Sequence, residues 1–122
     1  MKFQTVLFFL VPFVLTFLGC NSNASDDNNK NVSVAQHEIV KGEQLIQGSD
    51  CTTCHSVSDA GVGPSFVQIA SKYGSDKNNV EYLSTKIISG GSGVWGQTPM
   101  LPHPAIYKDD AVLMTKYILS QK

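Results

Sequence analysis

The distribution of apolar and polar positions divides the 122-residue chain into three parts. Residues 3–18 are almost wholly apolar, residues 21–36 are mostly polar, and residues 37–122 mix the two. In the third part, apolar residues recur three or four positions apart, the spacing that places them on one face of a helix. This pattern predicts four short helices, over residues 37–47, 65–72, 80–89 and 109–120, and it indicates no convincing strand. We therefore expect a small all-α domain.

The first predicted helix contains a glycine at an interior position, Gly42. Glycine inside a helix costs about 1 kcal/mol relative to alanine, so its presence calls for a reason. Either the position simply tolerates glycine, or the missing side chain lets this helix cross closely against the last one near Tyr117. The sequence leaves both interpretations open.

The apolar N-terminal stretch has the layout of a secretory signal peptide, which we assign to residues 1–19. Pro12 interrupts it, and it is shorter than the roughly 18 or more apolar residues of a membrane span. It ends in FLGC, which resembles a bacterial lipobox except that Phe17 stands where leucine is usual. Cys20 is the one cysteine outside a paired motif, and we expect it to carry a lipid after cleavage. The alternative is ordinary cleavage that leaves Cys20 without a role.

Residues 20–36 are rich in asparagine and serine and contain no aromatic residue, so we expect them to form a disordered tether. The domain that follows, residues 37–122, contains seven lysines and eight acidic residues. Near-neutral charge without a basic cluster argues against binding to nucleic acid. A domain of this size is marginally stable on its own core and generally needs a cross-link or a cofactor.

The segment CTTCH, residues 51–55, indicates which cofactor this is. In an exported protein, C-x-x-C-H is the attachment sequence of c-type haem. Two thiols three positions apart on a helical turn can reach the two vinyl groups on one edge of the porphyrin. The adjacent His55 can then turn its imidazole to the iron, for which histidine is the standard proximal ligand. The sequence therefore predicts one covalent haem c, attached through Cys51 and Cys54.

Two other uses of paired cysteines fit the sequence less well. A thioredoxin-like redox pair is expected in a βαβ unit, and the residue pattern indicates no such strands. A structural zinc site requires four ligands, and the chain has no second cysteine pair.

A haem iron with one histidine ligand either takes a sixth ligand or stays open for chemistry. Met100 is the preferred sixth ligand because it lies between two prolines, whose fixed φ angles keep the loop from collapsing. Glycines before it allow the backbone to run close to a porphyrin face. His103 is the remaining alternative. Met114 is expected to fill the core on the last helix, and His37 is expected to be exposed.

Residues 42–122 resemble the class I monohaem cytochromes c, in particular the small bacterial periplasmic type with a short distal loop. The resemblance rests on CTTCH, on VGPSF after it, and on GVWGQTPM, whose methionine lies 45 residues beyond His55. It implies a small cytochrome c fold of about four short helices around one haem. It also implies thioether bonds from Cys51 and Cys54, with His55 and Met100 as the iron ligands.

The resemblance implies roles for three further residues. The carbonyl of Pro64 would accept a hydrogen bond from the His55 ring, which fixes the imidazole. The indole of Trp95 would meet a haem propionate; the alternative is a core aromatic residue with an incidental partner. Lys86 would lie near a propionate; the alternative is an ordinary exposed lysine.

One position departs from the family pattern. Three residues beyond the methionine, where relatives often have a side-chain amide that approaches the sulfur, this chain has His103. We hypothesise that His103 lies next to the iron ligand and makes the haem potential pH dependent. An exposed His103 is the simpler expectation.

A haem closed by histidine and methionine on its two faces has no site for a substrate, so it transfers single electrons. We therefore expect a monomeric electron shuttle, not an enzyme, lipid-anchored on the periplasmic side of a bacterial membrane. It would dock briefly with redox proteins at the haem edge through a small interface. The alternatives are a haem subunit of a larger dehydrogenase or oxidase, and a gas-binding or peroxidase-like haem protein. The sequence offers no distal acid–base group for the last of these.

Overall fold

The computed structural model describes residues 27–122, which form four α-helices and one short 3-10 turn. The helices are α1 (Asp27–Gln47), α2 (Phe66–Lys72), α3 (Lys77–Ser89) and α4 (Lys108–Ser120), and the 3-10 turn is Cys51–Thr53. Within residues 27–122 the β-type pairing is limited to one isolated antiparallel bridge between Gly91 and Met100. The predicted all-α class is confirmed.

The last helix lies at the centre of the fold, because α4 packs against each of the other three helices. All four helices contribute buried apolar side chains to one core: Ile46, Phe66, Ile69, Ile87, Ala111, Met114 and Leu119. Met114 is only 1% exposed, which confirms it as a core residue. His37 is exposed on α1, as predicted.

Helices α1 and α4 cross closely at Gly42. A Cβ atom built on Gly42 would lie 2.1 Å from the carbonyl oxygen of Leu113 and 3.0 Å from Cβ of Tyr117. Only a residue without a side chain permits this spacing, so the close-crossing interpretation of Gly42 is confirmed. An ion pair between Lys116 Nζ and Glu38 Oε2, 2.6 Å apart, also joins the two helices.

Two helices begin at side-chain caps that satisfy otherwise unpaired backbone N–H groups. At α2, the hydroxyl of Ser65 accepts a hydrogen bond from the N–H of Gln68, and the Gln68 side chain accepts one from the N–H of Ser65. This is a capping box, and it places the helix where the sequence predicts it. At α3, Asp76 accepts hydrogen bonds from two backbone N–H groups. The helix therefore begins three residues before the predicted Val80, because the cap fixes its start rather than the first apolar residue.

The first helix begins at Asp27, ten residues earlier than the predicted start at His37. Residues 27–36, which belong to the predicted tether, continue this helix; the tether itself stays a prediction. Their sequence contains no glycine or proline. A helix already nucleated by packing extends at small cost through such a segment.

The predicted signal peptide (1–19), the lipidated Cys20 and the remainder of the tether up to residue 26 lie outside the described residues. From Asp27 to the C-terminus, none of the helices combines the length and the apolar character needed to cross a bilayer.

Replacing Gly42 by alanine tests the helix crossing. The added methyl group would overlap the Leu113 backbone, so we expect the free energy of unfolding to fall by about 2 kcal/mol. This loss occurs although alanine favours a helix by about 1 kcal/mol over glycine. Gly74→Ala is the control, because a Cβ at Gly74 meets no atom within 4 Å. Denaturation followed by circular dichroism measures both variants, and equal losses would contradict the role of Gly42.

Candidate functional site

A cavity of about 540 Å³ lies beside the core, and Gly42 does not line it. Its volume falls within the range of roughly 300–1,000 Å³ typical of ligand and cofactor sites. Three segments outside the helices border it: the attachment segment, defined as residues 50–55, residues 60–64, and the distal loop, defined as residues 90–104. Its apolar walls include Phe66, Ile69, Leu83, Ile87 and Ile118.

The structure brings the predicted site residues together around this cavity. The lining contains Cys51, Cys54, His55, Pro64, Lys86, Trp95, Met100 and His103. The other two ligands considered from the sequence lie elsewhere, Met114 in the core and His37 on the exposed surface of α1.

Both cysteines lie on one tight turn. The N–H groups of Cys54 and His55 donate to the carbonyl oxygen of Cys51, at 3.2 and 3.0 Å. The two thiols are free rather than joined in a disulfide. The pKa of the Cys51 thiol is raised mainly by burial and, to a smaller extent, by the negative charge of Asp50. The neutral thiol is therefore favoured at this position before it is attached to a cofactor.

The orientation of His55 is set by backbone atoms. Its Nδ1 lies 2.6 Å from the carbonyl oxygen of Pro64, the hydrogen bond that the family resemblance implied. A carbonyl oxygen can only accept, so Nδ1 carries the proton and Nε2 keeps its lone pair for a metal. One side of the ring stacks near Phe66, with centroids 6.0 Å apart. A Cβ built on Gly63 would lie 2.6 Å from His55 Cε1, so only glycine leaves room for the ring in this position.

The distal loop presents Met100 from a fixed backbone. Gly91 and Met100 exchange two backbone hydrogen bonds, of 2.8 and 3.2 Å. Gly90 ends α3 with φ of +70°, a value that favours glycine, and a Cβ there would lie 2.5 Å from the Met100 carbonyl oxygen. The Met100 side chain is half-buried and packs against the core. Its position therefore depends on the two glycines at the start of the loop.

Trp95 and Lys86 lie at the rim of the cavity in surroundings that the sequence did not indicate. Trp95 is 45% exposed and lines the cavity, and its contact with a propionate stays a prediction. The ammonium of Lys72 lies 5.3 Å from the centroid of the Trp95 ring. Lys86 is half-buried rather than exposed, and its ammonium lies 5.4 Å from the centroid of the Tyr82 ring. Among the ion pairs of residues 27–122, neither lysine has a carboxylate partner.

Sequence reasoning missed Lys72. It precedes Trp95 by 23 residues and belongs to no motif, so no local pattern connects the two. Only the folded chain shows that α2 delivers this cation to the tryptophan face.

The expectation of an exposed His103 is wrong. Its side chain is 22% exposed, with Nδ1 at 3.2 Å from the Ile87 carbonyl oxygen and Nε2 at 3.1 Å from Asp50 Oδ1. The last carbonyls of a helix have no partner within the helix, and His103 meets that need at the end of α3. Both ring nitrogens thus have partners other than Met100. The hypothesis that His103 controls the haem potential stays a prediction.

These residues fit a covalently held haem. The site combines a pair of free thiols on one turn, an imidazole with an available Nε2, a thioether side chain and apolar walls around a cavity of suitable volume. Histidine and methionine together are an established ligand pair for haem iron.

Comparison with known proteins agrees with this geometry. Residues 39–122 match the sequence model of the family described as Cytochrome c. Cytochrome c-551 of Azotobacter vinelandii is 38% identical over 81 residues, which cover 66% of this chain and 98% of that protein. Cytochrome c-552 of Hydrogenobacter thermophilus is 41% identical over 80 residues, covering 66% of this chain and 81% of that protein.

A solved structure is similar as well. The crystal structure of wild-type cytochrome c552 from Nitrosomonas europaea superposes with a TM-score of 0.62 at 39% identity, covering 66% of this chain and 99% of that one. The family match spans the cavity-lining residues, helices α2 to α4 and the C-terminal part of α1 from residue 39. The chain therefore belongs to the cytochrome c family, as a small class I monohaem cytochrome c that carries one haem c on Cys51 and Cys54 and transfers single electrons.

Proposed function

We propose that His55 and Met100 are the two axial ligands of the haem iron and that the protein is a lipid-tethered electron shuttle. The main support for this ligation is that the protein already orients both side chains for it. His55 donates Nδ1–H to Pro64 and keeps Nε2 free, while Met100 is fixed by its bridge to Gly91. Both side chains line the same cavity, although 45 residues separate them in the sequence.

This ligation favours electron transfer over enzymatic chemistry. Haem supplies one-electron redox chemistry, and ligation by histidine and methionine raises its potential. With both axial positions taken by the protein, no position is left for a substrate or a gas. Apart from His55, the histidine and carboxylate side chains that line the cavity are those of His103 and Asp50, and they contact each other. Among the described residues that line the cavity, no further histidine or carboxylate is therefore free for the acid–base role that a peroxidase needs.

The residues at the rim of the cavity indicate that the polar edge of the haem, with its propionates, lies there. We assign Trp95 and Lys86 to the haem propionates, as an indole donor and an ammonium donor. Aromatic faces position the two nearby ammonium groups, Lys72 over Trp95 and Lys86 over Tyr82. Neither ammonium is neutralised by a carboxylate among the described ion pairs, so both can offset the charge of propionates.

The opening of the cavity supports brief docking with redox proteins. Three apolar side chains that line it are exposed: Val62 (64%), Val94 (48%) and Leu101 (71%). Redox encounters generally use small, weak interfaces, for which a few such residues suffice. This small apolar surface suits a monomeric shuttle that docks briefly. A fixed subunit of a larger dehydrogenase or oxidase would have a larger contact surface.

The N-terminal sequence supports export and a lipid anchor. A signal peptide over residues 1–19 directs the chain across the bacterial membrane, and a lipid on Cys20 keeps it at the periplasmic side. The polar segment that follows then separates the haem domain from the membrane surface.

Replacing Met100 tests the axial ligation. In the reduced Met100→Ala holoprotein an iron position is open, so carbon monoxide should bind rapidly and the midpoint potential should fall. The wild-type protein should show the weak long-wavelength methionine–iron(III) absorption band and should bind carbon monoxide only slowly when reduced. Met114→Leu is the control, since this methionine lies in the core. Rapid carbon monoxide binding by the wild-type protein would refute the proposed ligand pair.

Replacing Gly63 tests how the imidazole of His55 is positioned. A methyl group at this site would contact the ring, so we expect the free energy of unfolding of the holoprotein to fall by about 1–3 kcal/mol. We also expect the midpoint potential to shift as the ring turns away from Pro64. Gly61→Ala is the matched control, because its Cβ would meet only the Cys54 carbonyl oxygen at 3.4 Å. Chemical denaturation and redox titration measure the two effects, and identical behaviour of the variants would contradict the assignment.

Replacing Cys20 tests the lipid anchor. We expect the wild-type protein in the membrane fraction of the cell and Cys20→Ser in the soluble fraction, because the variant lacks the thiol to which the lipid is attached. Ser22→Ala keeps that thiol and is the control. Mass spectrometry of the N-terminal peptide provides a direct readout, and an unmodified Cys20 in the wild-type protein would overturn this part of the proposal.

A further inference from the structure

His103 belongs to the distal loop, but its contacts lie outside that loop. Its backbone N–H points to the carbonyl oxygens of Ile87 and Ile88, at 3.2 and 3.1 Å, at the end of α3. Its ring spans from the Ile87 carbonyl oxygen to the carboxylate of Asp50, which lies 53 residues earlier in the chain, next to Cys51. One side chain thus joins three segments that border the cavity.

We propose that His103 is a positioning residue: by joining the distal loop to α3 and to the attachment segment, it keeps Met100 on the iron. We refer to the two contacts of the His103 ring, with the Ile87 carbonyl oxygen and with the Asp50 carboxylate, as the clasp. This inference rests on the proposed ligation by Met100. It assigns His103 a function through the loop backbone, without direct contact to the haem or to the methionine sulfur.

The clasp has two acceptors and one ring between them. A neutral imidazole donates from one nitrogen only, whereas the imidazolium donates from both. The carbonyl of Ile87 and the carboxylate of Asp50 both accept, so only the protonated ring satisfies both contacts at once. A positive charge is also favoured at the C-terminal end of α3, where the helix dipole is negative. The clasp is therefore tighter when His103 is protonated.

Among the charged and titratable groups on the neighbouring segments, Asp50 is the main partner of His103. Lys86 of α3 has its ammonium over the Tyr82 ring. Cys51 and Cys54 of the attachment segment are consumed by the thioether bonds. The Asp50 side chain is 75% exposed, so its contribution to the clasp is modest and decreases at high salt.

The position of the clasp explains why it affects Met100. The loop is fixed at Met100 itself by two backbone hydrogen bonds to Gly91. His103 is the next point of attachment, three residues further on, and Leu101 between them is 71% exposed. When the clasp is open, the chain after Met100 is held by fewer contacts, and the side chain leaves the cavity more often.

The rate at which carbon monoxide binds to the reduced holoprotein measures this opening, because the gas reaches the iron only when Met100 has left. For the wild-type protein we expect slow binding that is about fivefold slower at pH 5 than at pH 8, the effect of one hydrogen bond. Histidine side chains in general change charge between pH 5 and 8, so this range tests the form of the ring that donates from both nitrogens. His103→Gln does not titrate, so at pH 5 it should bind about fivefold faster than the wild-type protein and show no pH dependence. Asp50→Asn should reduce the pH dependence.

Further variants separate the clasp from a general effect on stability. His37→Gln removes an exposed histidine on α1 and should leave both the rate and its pH profile unchanged. The His103→Gln/Asp50→Asn double variant should bind no faster than His103→Gln alone, because the two residues act through one contact. Asp50 is mostly exposed, so Asp50→Asn gives a result even where His103→Gln does not fold.

Three results would overturn the clasp: a wild-type rate that is constant from pH 5 to 8, a pH profile retained by His103→Gln, or additive effects in the double variant. Rapid carbon monoxide binding by the wild-type protein at every pH is a different result. It would refute the ligation by Met100, and the clasp with it. Slow carbon monoxide binding by the wild-type protein, at a rate that substitution of His103 does not change, would refute the clasp alone.

Discussion

The close contact of α1 with α4 at Gly42 determines where the rest of the molecule lies. It fixes the end of α1, and the attachment segment begins only three residues after that helix ends at Gln47. The same contact sets the position of α4, whose other faces pack against α2 and α3. One side chain of α4, Ile118, also lines the cavity. Helix α1 therefore contacts the cysteine turn, and α4 forms part of the wall for the cofactor.

The site is positioned mainly by backbone atoms. The carbonyl of Pro64 orients the imidazole, Gly63 leaves room for it, and Gly91 pairs with the backbone of the residue that presents the thioether. Backbone groups keep these functions when surrounding side chains change. A chain of this size, with few fully buried apolar residues, thus orients two potential ligands without a large core behind them.

The sequence predicted those features that depend on neighbouring residues. The spacing of CTTCH identified the cofactor, and Ser65 with Gln68 forms the cap that places α2 as predicted. The start of α1 was missed, because polar composition reports a lack of burial and says little about helix extension. The contact of His103 with Asp50 could not be predicted, since 53 residues separate them and only the packing of α3 and the distal loop brings them together.

The antiparallel bridge between Gly91 and Met100 encloses residues 92–99 as a closed loop of eight residues. Closing a flexible loop becomes only slowly more costly with length, by about 0.6 kcal/mol for each doubling. Insertions or deletions between Gly91 and Met100 would therefore change the rim of the cavity around Trp95 at a small cost in loop-closure free energy. The paired backbone of the two bridge residues would stay unchanged. The protein thus separates an adaptable outer edge around Trp95 from the fixed backbone that presents Met100.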